Sequence, residues 1–484
     1  MVVPFGVRAQ IGSENLATSW DGSAVAALDG LTIDWGRESL YDDAAPMSMR
    51  LDVLCPDPRW YNNTQRVGQP IVIAQTDPPS ERIVFRGQIT ELSSERRYVH
   101  SPLTDKDEPV WIVHLTAQDK MGMAQSIIPI GPMGADSVEG RGAWGEASPA
   151  TRRDQLISRG AVSMFSGGLT WSRQYSTSVS AILHGTRSQD APSLVELLNT
   201  LHRIMPGCVA EYRPAQDAIA TGIPLTGKGL DWYRSGSSVG IGSADTSSTL
   251  AVYASMVGTP DGYTLTSTIQ DAIESVTITG YYYGQESVQP KVGGGTKIAY
   301  TDTTTTATVD GGAVGDSSRN VTVDAAIMTY DTDRSWLGYD STPYNNATPD
   351  LMSRYGQMAR RLNGWMAYPT LEFDTNLGTW NGNTALQALN TIMPGRAFAI
   401  VGAAFADQAS VPVNVFMVGG SLRYEAGRWI QRPNLVPAET SGPTGVLPIV
   451  SWYTMFHNSA VSWEDLDETV SWRSLGQVSR GLSS

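Results

Sequence analysis

Leu31, Ile33 and Trp35 alternate with Thr32 and Asp34, and after a turn at Pro46, Met47, Met49, Leu51 and Val53 alternate with Ser48, Arg50 and Asp52. A period of two predicts two half-buried strands joined by an acidic loop. The pattern continues through QPIVIAQ (69–75) and ERIVFRGQITEL (81–92), where Ile83, Phe85 and Ile89 share a face. In VWIVHLTAQD (110–119), Trp111, Val113, Leu115 and Ala117 lie opposite Ile112, His114, Thr116 and Gln118. Gly87 interrupts its strand and predicts a bulge or bend. Five consecutive strands with turn-rich connections predict an antiparallel sheet or small barrel, with Trp35, Phe85 and Trp111 in one core.

The pattern then changes. Residues 131–147 are too rich in glycine and charge for a regular element and mark a boundary. Ser148 is placed to cap a short helix ending near Arg159. In 191–207, Ser193 caps, Glu196 follows three residues later, and Leu194, Leu197, Leu198 and Leu201 recur at helical spacing until Pro206 and Gly207 stop the helix. CVAEYRP (208–214) reads as a strand, and the pair is expected to pack back onto the first sheet. The polar, β-branched, glycine-rich tract 286–320 predicts an extended hairpin or loop. Thr348 caps a helix carrying Leu351, Tyr355, Met358 and Leu362 as far as Gly364, followed by strands at 368–374, 396–402, 411–429, 445–456 and 468–473.

The segments IVFRGQITELSSERRYV and VNVFMVGGSLRYEAGRWI each place an apolar strand, a central glycine, a second strand and a charged turn in that order. This is a weak internal repeat, which two related barrels or a chance likeness of two hairpins would explain equally. The expected class is mainly β with a few helices (α+β), multidomain, with two tube-like antiparallel β-barrels and peripheral middle domains. The expected boundaries are 1–125 for an N-terminal tube-like barrel, with 190–215 packing back onto it, 126–275 for a peripheral domain, 276–346 for a polar β-rich linker or peripheral domain, and 347–484 for a helix plus the second barrel. A chain of 484 residues agrees with several domains.

Charge narrows the function classes. Lys and Arg total 34 against 48 Asp and Glu, a net charge of -14. Nucleic-acid affinity rests largely on cation contacts, so sequence-reading DNA binding is disfavoured, whereas an acidic wall would let DNA slide past. Cys55 and Cys208 are far apart and form neither a disulfide framework nor a zinc spacing. No signal-like segment opens the chain and no apolar run approaches the ~20 residues of a bilayer span, so synthesis in the cytoplasm as a soluble chain is expected.

Catalytic groups do not converge in the sequence. The histidines His100, His114, His184, His202 and His457 show no metal-ligand spacing. There is no Gly-x-Ser-x-Gly elbow with its partners in order, and GIGSADT (240–246) lacks the Gly-Lys-Ser/Thr end of a phosphate loop. Glu464, Asp465, Asp467 and Glu468 are the one acidic cluster a glycosidase could draw on, but carboxylates within one segment read more simply as a solvated turn. No catalytic, cofactor-binding or metal residue is assigned, no cofactor is expected, and the protein is expected not to be an enzyme.

The order GLTIDWGRESLYDDAAPMSMRLDV, GQPIVI, RIVFRGQITEL, WIVHLTAQD resembles the N-terminal domain of minor tail proteins from phages of actinobacteria, the tail-associated or baseplate hub family of long-tailed, siphovirus-type phages. Residues 30 to 120 carry the resemblance, and the helix from 348 with the strands after it is similar to that family's last domain. The resemblance implies a homotrimer in which each chain contributes two tube-like barrels, so that six domains form a ring closing the tail tube at the virion tail tip. The implied partners are other copies of itself, the distal tail protein, the tape-measure protein and other minor tail or receptor-binding proteins. DNA would pass through the lumen during ejection without sequence-specific binding, and no membrane span is implied. The rival readings are a distal tail protein ring and a β-rich carbohydrate-active protein acting on cell-wall glycan.

Overall fold

The computed structural model describes residues 6–22, 24, 26–39, 41–57, 60, 66–77, 80–135, 140–171, 182–186, 189–203, 210–221, 250–253, 273–290, 296–310, 319–329, 355–356, 359, 373–374, 397–401, 413–425 and 427–437. The N-terminal strands are β1 (Gly6–Ile11), β2 (Glu14–Asn15), β3 (Ala27–Gly36), β4 (Ala45–Cys55), β5 (Pro70–Asp77), β6 (Ser80–Ser101) and β7 (Lys106–Asp119). Helices α1 (Lys120–Ala124) and α2 (Pro149–Ser158), strands β8 (Leu169–Trp171) and β9 (Ile182–Leu183), helix α3 (Leu194–Thr200), and strands β10 (Ala210–Arg213), β11 (Ala218–Thr221) and β12 (Leu250–Tyr253) follow. The remainder is β13 (Ile273–Pro290), β14 (Thr296–Asp310), β15 (Arg319–Thr329), β16 (Phe373–Asp374), β17 (Ala397–Val401), β18 (Val413–Glu425) and β19 (Arg428–Pro437). The protein is mainly β, as its alternation requires.

Twelve strands form one sheet in the order β12-β17-β18-β3-β4-β7-β6-β5-β1-β2, with β19 beside β18 and β16 beside β19. Two separate closed barrels are expected from the sequence; among the described residues no sheet closes, and strands from the two ends of the chain share this one. The sheet curls around an apolar core holding Val7, Ile33, Leu51, Ile73, Phe85, Leu115, Tyr424 and Trp429. Phe85 is fully buried, and Trp35 and Trp111, only partly buried, pack against the same core. Leu31, Met49, Val113 and Ala117 are buried too, so the inward phase follows the alternation of the sequence.

Gly87 is not itself a bulge. The irregularities of β6 fall on either side, where Val84 lies between the pairs Ile73–Phe85 and Ala74–Ile83, and Thr90 between Ile89–Ala117 and Glu91–Thr116. A Cβ at Gly87 would collide with the carbonyl of Gln118 and the Phe85 ring, so the glycine answers to close approach across the sheet.

A second core joins Met121, Trp144, Leu156, Phe165, Leu194, Leu198, Tyr212, Ile219, Val276 and Ile278. Around it lie a sheet in the order β10-β11-β8 and another in the order β14-β13-β15-β9. The two N-caps are where the sequence places them: the Ser148 hydroxyl accepts from Thr151 N at 3.2 Å, and the Ser193 hydroxyl from Glu196 N at 3.1 Å. The tract 286–320 supplies all of β14 and the end of β13, which pair antiparallel. The described residues of 131–147 carry no helix or strand beyond isolated bridges at Trp144 and Ala147, yet Trp144 is fully buried. Of the helix expected over 348–364, only residues 355, 356 and 359 are described, all helical. The strands expected at 445–456 and 468–473 lie outside the described residues.

Candidate assembly surface

The two ends of the chain meet along β18. Strand β19 runs the length of β18, whose other neighbour is β17 over Val413–Ile400 pairing to Phe416–Ala397, and β3 over Gly419–Gly36 to Tyr424–Leu31. Between those two stretches the ladder with β19 skips Val418, whose side chain packs into the second core. Val418 O accepts from Arg37 N at 3.0 Å, and Asn434 Nδ2 donates to Arg37 O at 3.1 Å. Backbones approach so closely here that a Cβ on Gly36 would strike Val418 and Gly419, and one on Gly419 would strike Arg37. Gly36 also holds a φ of 75°, and Gly420 one of 140°, conformations that suit glycine. The sequence pattern showed a central glycine in this strand; only the tertiary structure shows that it marks where one strand serves two sets of neighbours.

At the far side of the curl the gap is bridged by a side chain. Trp429 Nε1 donates to Gly6 O at 3.1 Å, and the Trp429 ring lies 5.0 Å from that of Tyr424. A buried indole needs an acceptor for its N–H, and the start of β1 supplies one.

The second core is tied to the sheet by a polar node. Lys120, at the start of α1, donates from Nζ to Asp217 Oδ2 at 2.6 Å and to Met164 O at 2.7 Å. Asp217 also accepts from Ser166 Oγ at 2.6 Å and Tyr212 OH at 2.7 Å. Burial alone would raise its carboxyl, but the bonds from Lys120, Ser166 and Tyr212 outweigh that and hold it down to about 2. Asp217 pays a conformational cost too, with a φ of 49° in the turn between β10 and β11. Next to the node, Asp119 caps α1 by accepting from Gly122 N at 2.9 Å and accepts from Met47 N at 3.0 Å. Its burial outweighs those backbone N–H groups and pushes it up to about 6.

The four described histidines do not converge. His114 lies on the sheet with Nδ1 2.7 Å from Asp52 and Nε2 3.6 Å from Glu95. His100 lies 3.3 Å from Asp105 and 3.5 Å from Asp107, and the ring of His184 stacks on Tyr281 at 4.0 Å. His202 is buried just beyond α3, where burial lowers it to about 3. Cys55 is a free, buried thiol, raised to about 11 by burial and by the nearby charge of Asp57. No group of three or more His, Cys, Asp or Glu among the described residues is arranged to hold a metal ion. His457, Cys208, the 240–246 segment and the cluster Glu464, Asp465, Asp467 and Glu468 lie outside the described residues. No described helix is long and apolar enough to cross a membrane.

The fold thus defines a mainly β protein in which two distant parts of one chain extend a common curled sheet. No family model matches the chain, and no curated protein does. Among solved structures it is similar to the 43 kDa tail protein of prophage MuSo2 from Shewanella oneidensis, at 10% identity and a TM-score of 0.47, covering 90% of this chain and 99% of that one. It is also similar to the E. coli c3393 protein, described as a component of the type VI secretion system with structural similarity to the T4 bacteriophage tail proteins gp27 and gp5, at 8% identity and a TM-score of 0.38, covering 89% of this chain and 76% of that one.

Proposed function

We propose that the protein is a structural component of a phage tail tip, a baseplate hub that forms a ring between the tail tube and the host-facing tail-tip proteins and encloses part of the DNA exit channel. The observation that carries this reading is the pairing of β3 with β18, which sets the N-terminal curled sheet and the β17–β12 ladder edge to edge in one sheet. Two such units per chain, repeated by a three-fold axis, give six units around a ring, the arrangement that the resemblance of residues 30 to 120 implies. Side-by-side pairing also covers strand edges that would otherwise be open to unwanted association. The units are proposed as residues 1–125, with 190–215 against them, and 347–484, with 126–275 and 276–346 peripheral. On this reading the protein is not an enzyme and its partners are its own copies, the distal tail protein, the tape-measure protein and receptor-binding proteins.

Native mass measurement of the purified protein and electron microscopy of tails test the proposal. A trimer and a ring at the tail tip are expected. A monomer absent from the particle would overturn it, and hydrolysis of host-wall glycan abolished by Glu464→Gln would replace it with the carbohydrate-active reading. A ring with one tube-like unit per chain would favour a distal tail protein.

A further inference from the structure

Beyond α1 the chain passes along the second core as SIIPIGPM (126–133), and Pro129 holds Ile128 in the extended region. Extended chain points the N–H and C=O groups of alternate residues to opposite sides. Here the odd-numbered residues bond inward. Ile127 O accepts from Leu194 N at 2.8 Å and Pro129 O from Trp144 Nε1 at 3.3 Å, while Gly131 N donates to Gly142 O at 2.7 Å and Met133 N to Ala143 O at 3.1 Å. Ile128 and Ile130 make no hydrogen bond among the described residues. Their two N–H and two C=O groups therefore form an open edge. It stops at Pro132, which has no N–H and whose carbonyl accepts from Arg159 Nη2 at 3.2 Å. Ile128 is 60% exposed and Ile130 71%, against the general burial of isoleucine. The edge borders an open groove of about 430 Å³, lined by Ile127, Pro129 and Ile130 and, from the loop after α2, by Arg159, Ala161 and Met164.

We infer that residues 128–130 are a docking edge for an extended segment of another protein, an aliphatic strand that brings a carboxylate to Arg159. Strand addition of this kind takes its affinity from main-chain bonds to an open edge and its selectivity from the side chains beside it. Both are in place: the paired N–H and C=O groups of Ile128 and Ile130, and the apolar groove next to them. The charge of the partner follows from Arg159, which is exposed, forms no ion pair among the described residues, and has no acidic residue among its neighbours in the groove. A cation left without a counter-charge in a chain of net charge -14 favours an acidic visitor. A second copy of this segment would fit the edge but not the charge. Paired antiparallel about Pro129, it would set Ser126 beside Arg159, and residues 120–134 include no carboxylate. The shortness of the edge, closed by Pro132, limits indiscriminate pairing. The docking edge does not depend on the hub reading, because only the chemistry of the partner enters it.

The probe is a short acetylated and amidated peptide of alternating valine and threonine with an aspartate at one end, labelled and titrated with the full-length protein by fluorescence anisotropy. Saturable binding is expected at or below millimolar protein, with slowed amide exchange at Ile128 and Ile130. N-methylation along the peptide backbone, which removes its donors, should weaken binding at least tenfold. Ile130→Pro, which removes an N–H from the edge at an exposed position, should do the same, and Arg159→Glu should reverse the preference from the aspartate peptide to its lysine counterpart. Absence of saturable binding, or binding that N-methylation leaves unchanged, would overturn the inference. So would a native mass showing association of copies that Ile130→Pro undoes, since the edge would then be taken by a second copy. If Ile130→Pro does not fold, the N-methylated peptide and Arg159→Glu decide without it.

Discussion

Asp217→Asn removes the charge from the node beneath α1 while keeping the shape of the side chain. In the native protein the Asp217 side chain is 8% exposed and Lys120 22%, so the ion pair is only weakly screened. A carboxyl held at about 2, against 3.8 for the free side chain, corresponds to roughly 2.5 kcal/mol of pH-linked stability. The sign follows from the depression: this contribution is complete above pH 3.8 and is lost as the pH falls through about 2. The asparagine variant should therefore be about 2 to 3 kcal/mol less stable at pH 7, including the penalty of leaving the Lys120 ammonium without its counter-charge. At pH 3, between the unfolded and folded values, about half of the deficit should remain. Urea unfolding followed by tryptophan fluorescence at the two pH values measures it, with Trp144 as a buried reporter in the same core. A double-mutant cycle with Lys120→Met isolates the pair, with a coupling expected at about 1 to 3 kcal/mol. Equal stability of Asp217→Asn and wild type at pH 7, or a deficit that does not shrink at pH 3, would refute the electrostatic account of the node.

Asp119 has the opposite sign: its carboxyl is raised to about 6, so its contribution is complete below 3.8 and lost as the pH rises through 6, and Asp119→Asn should flatten the stability profile between pH 4 and 6. A stability curve in that window parallel to wild type would show that the group does not titrate there. Gly419→Ala inserts a Cβ against the Arg37 backbone and should lower the thermal midpoint sharply and loosen the β3–β18 ladder, which amide exchange at Thr32 and Asp34 would report. Phe85→Ala should cost about 3 to 5 kcal/mol, while Trp111→Ala, being only partly buried, should cost less; the order of the two midpoints in thermal unfolding decides. Trp429→Phe loses the bond to Gly6 O and should cost about 1 kcal/mol, read from chemical denaturation.

The alternation of Leu31, Ile33, Met49, Leu51, Val113 and Leu115 determined the first sheet and its inward phase, because a pleated strand with one buried face permits a single register of apolar residues. Ser148 and Ser193 likewise determined their helix starts, since a cap is a local bond between a hydroxyl and an N–H three residues on. The sequence also held the signs of the later features without their meaning. Gly36, Gly87, Gly419 and Gly420 are visible as glycines, but which backbones approach them depends on strand pairing, and at Gly36 and Gly419 those strands lie hundreds of residues apart. Asp217 and Lys120 are ordinary charges in the sequence, separated by 97 positions, and become a node only when the β10–β11 turn meets the start of α1. Trp144 lies in a glycine-rich stretch with no periodicity, and its burial follows from the helices and strands that close over it. Local spacing encodes element type and phase; the meeting of β18 with β3 is a long-range contact, selected by the fit of whole surfaces, and no window of neighbouring residues contains it.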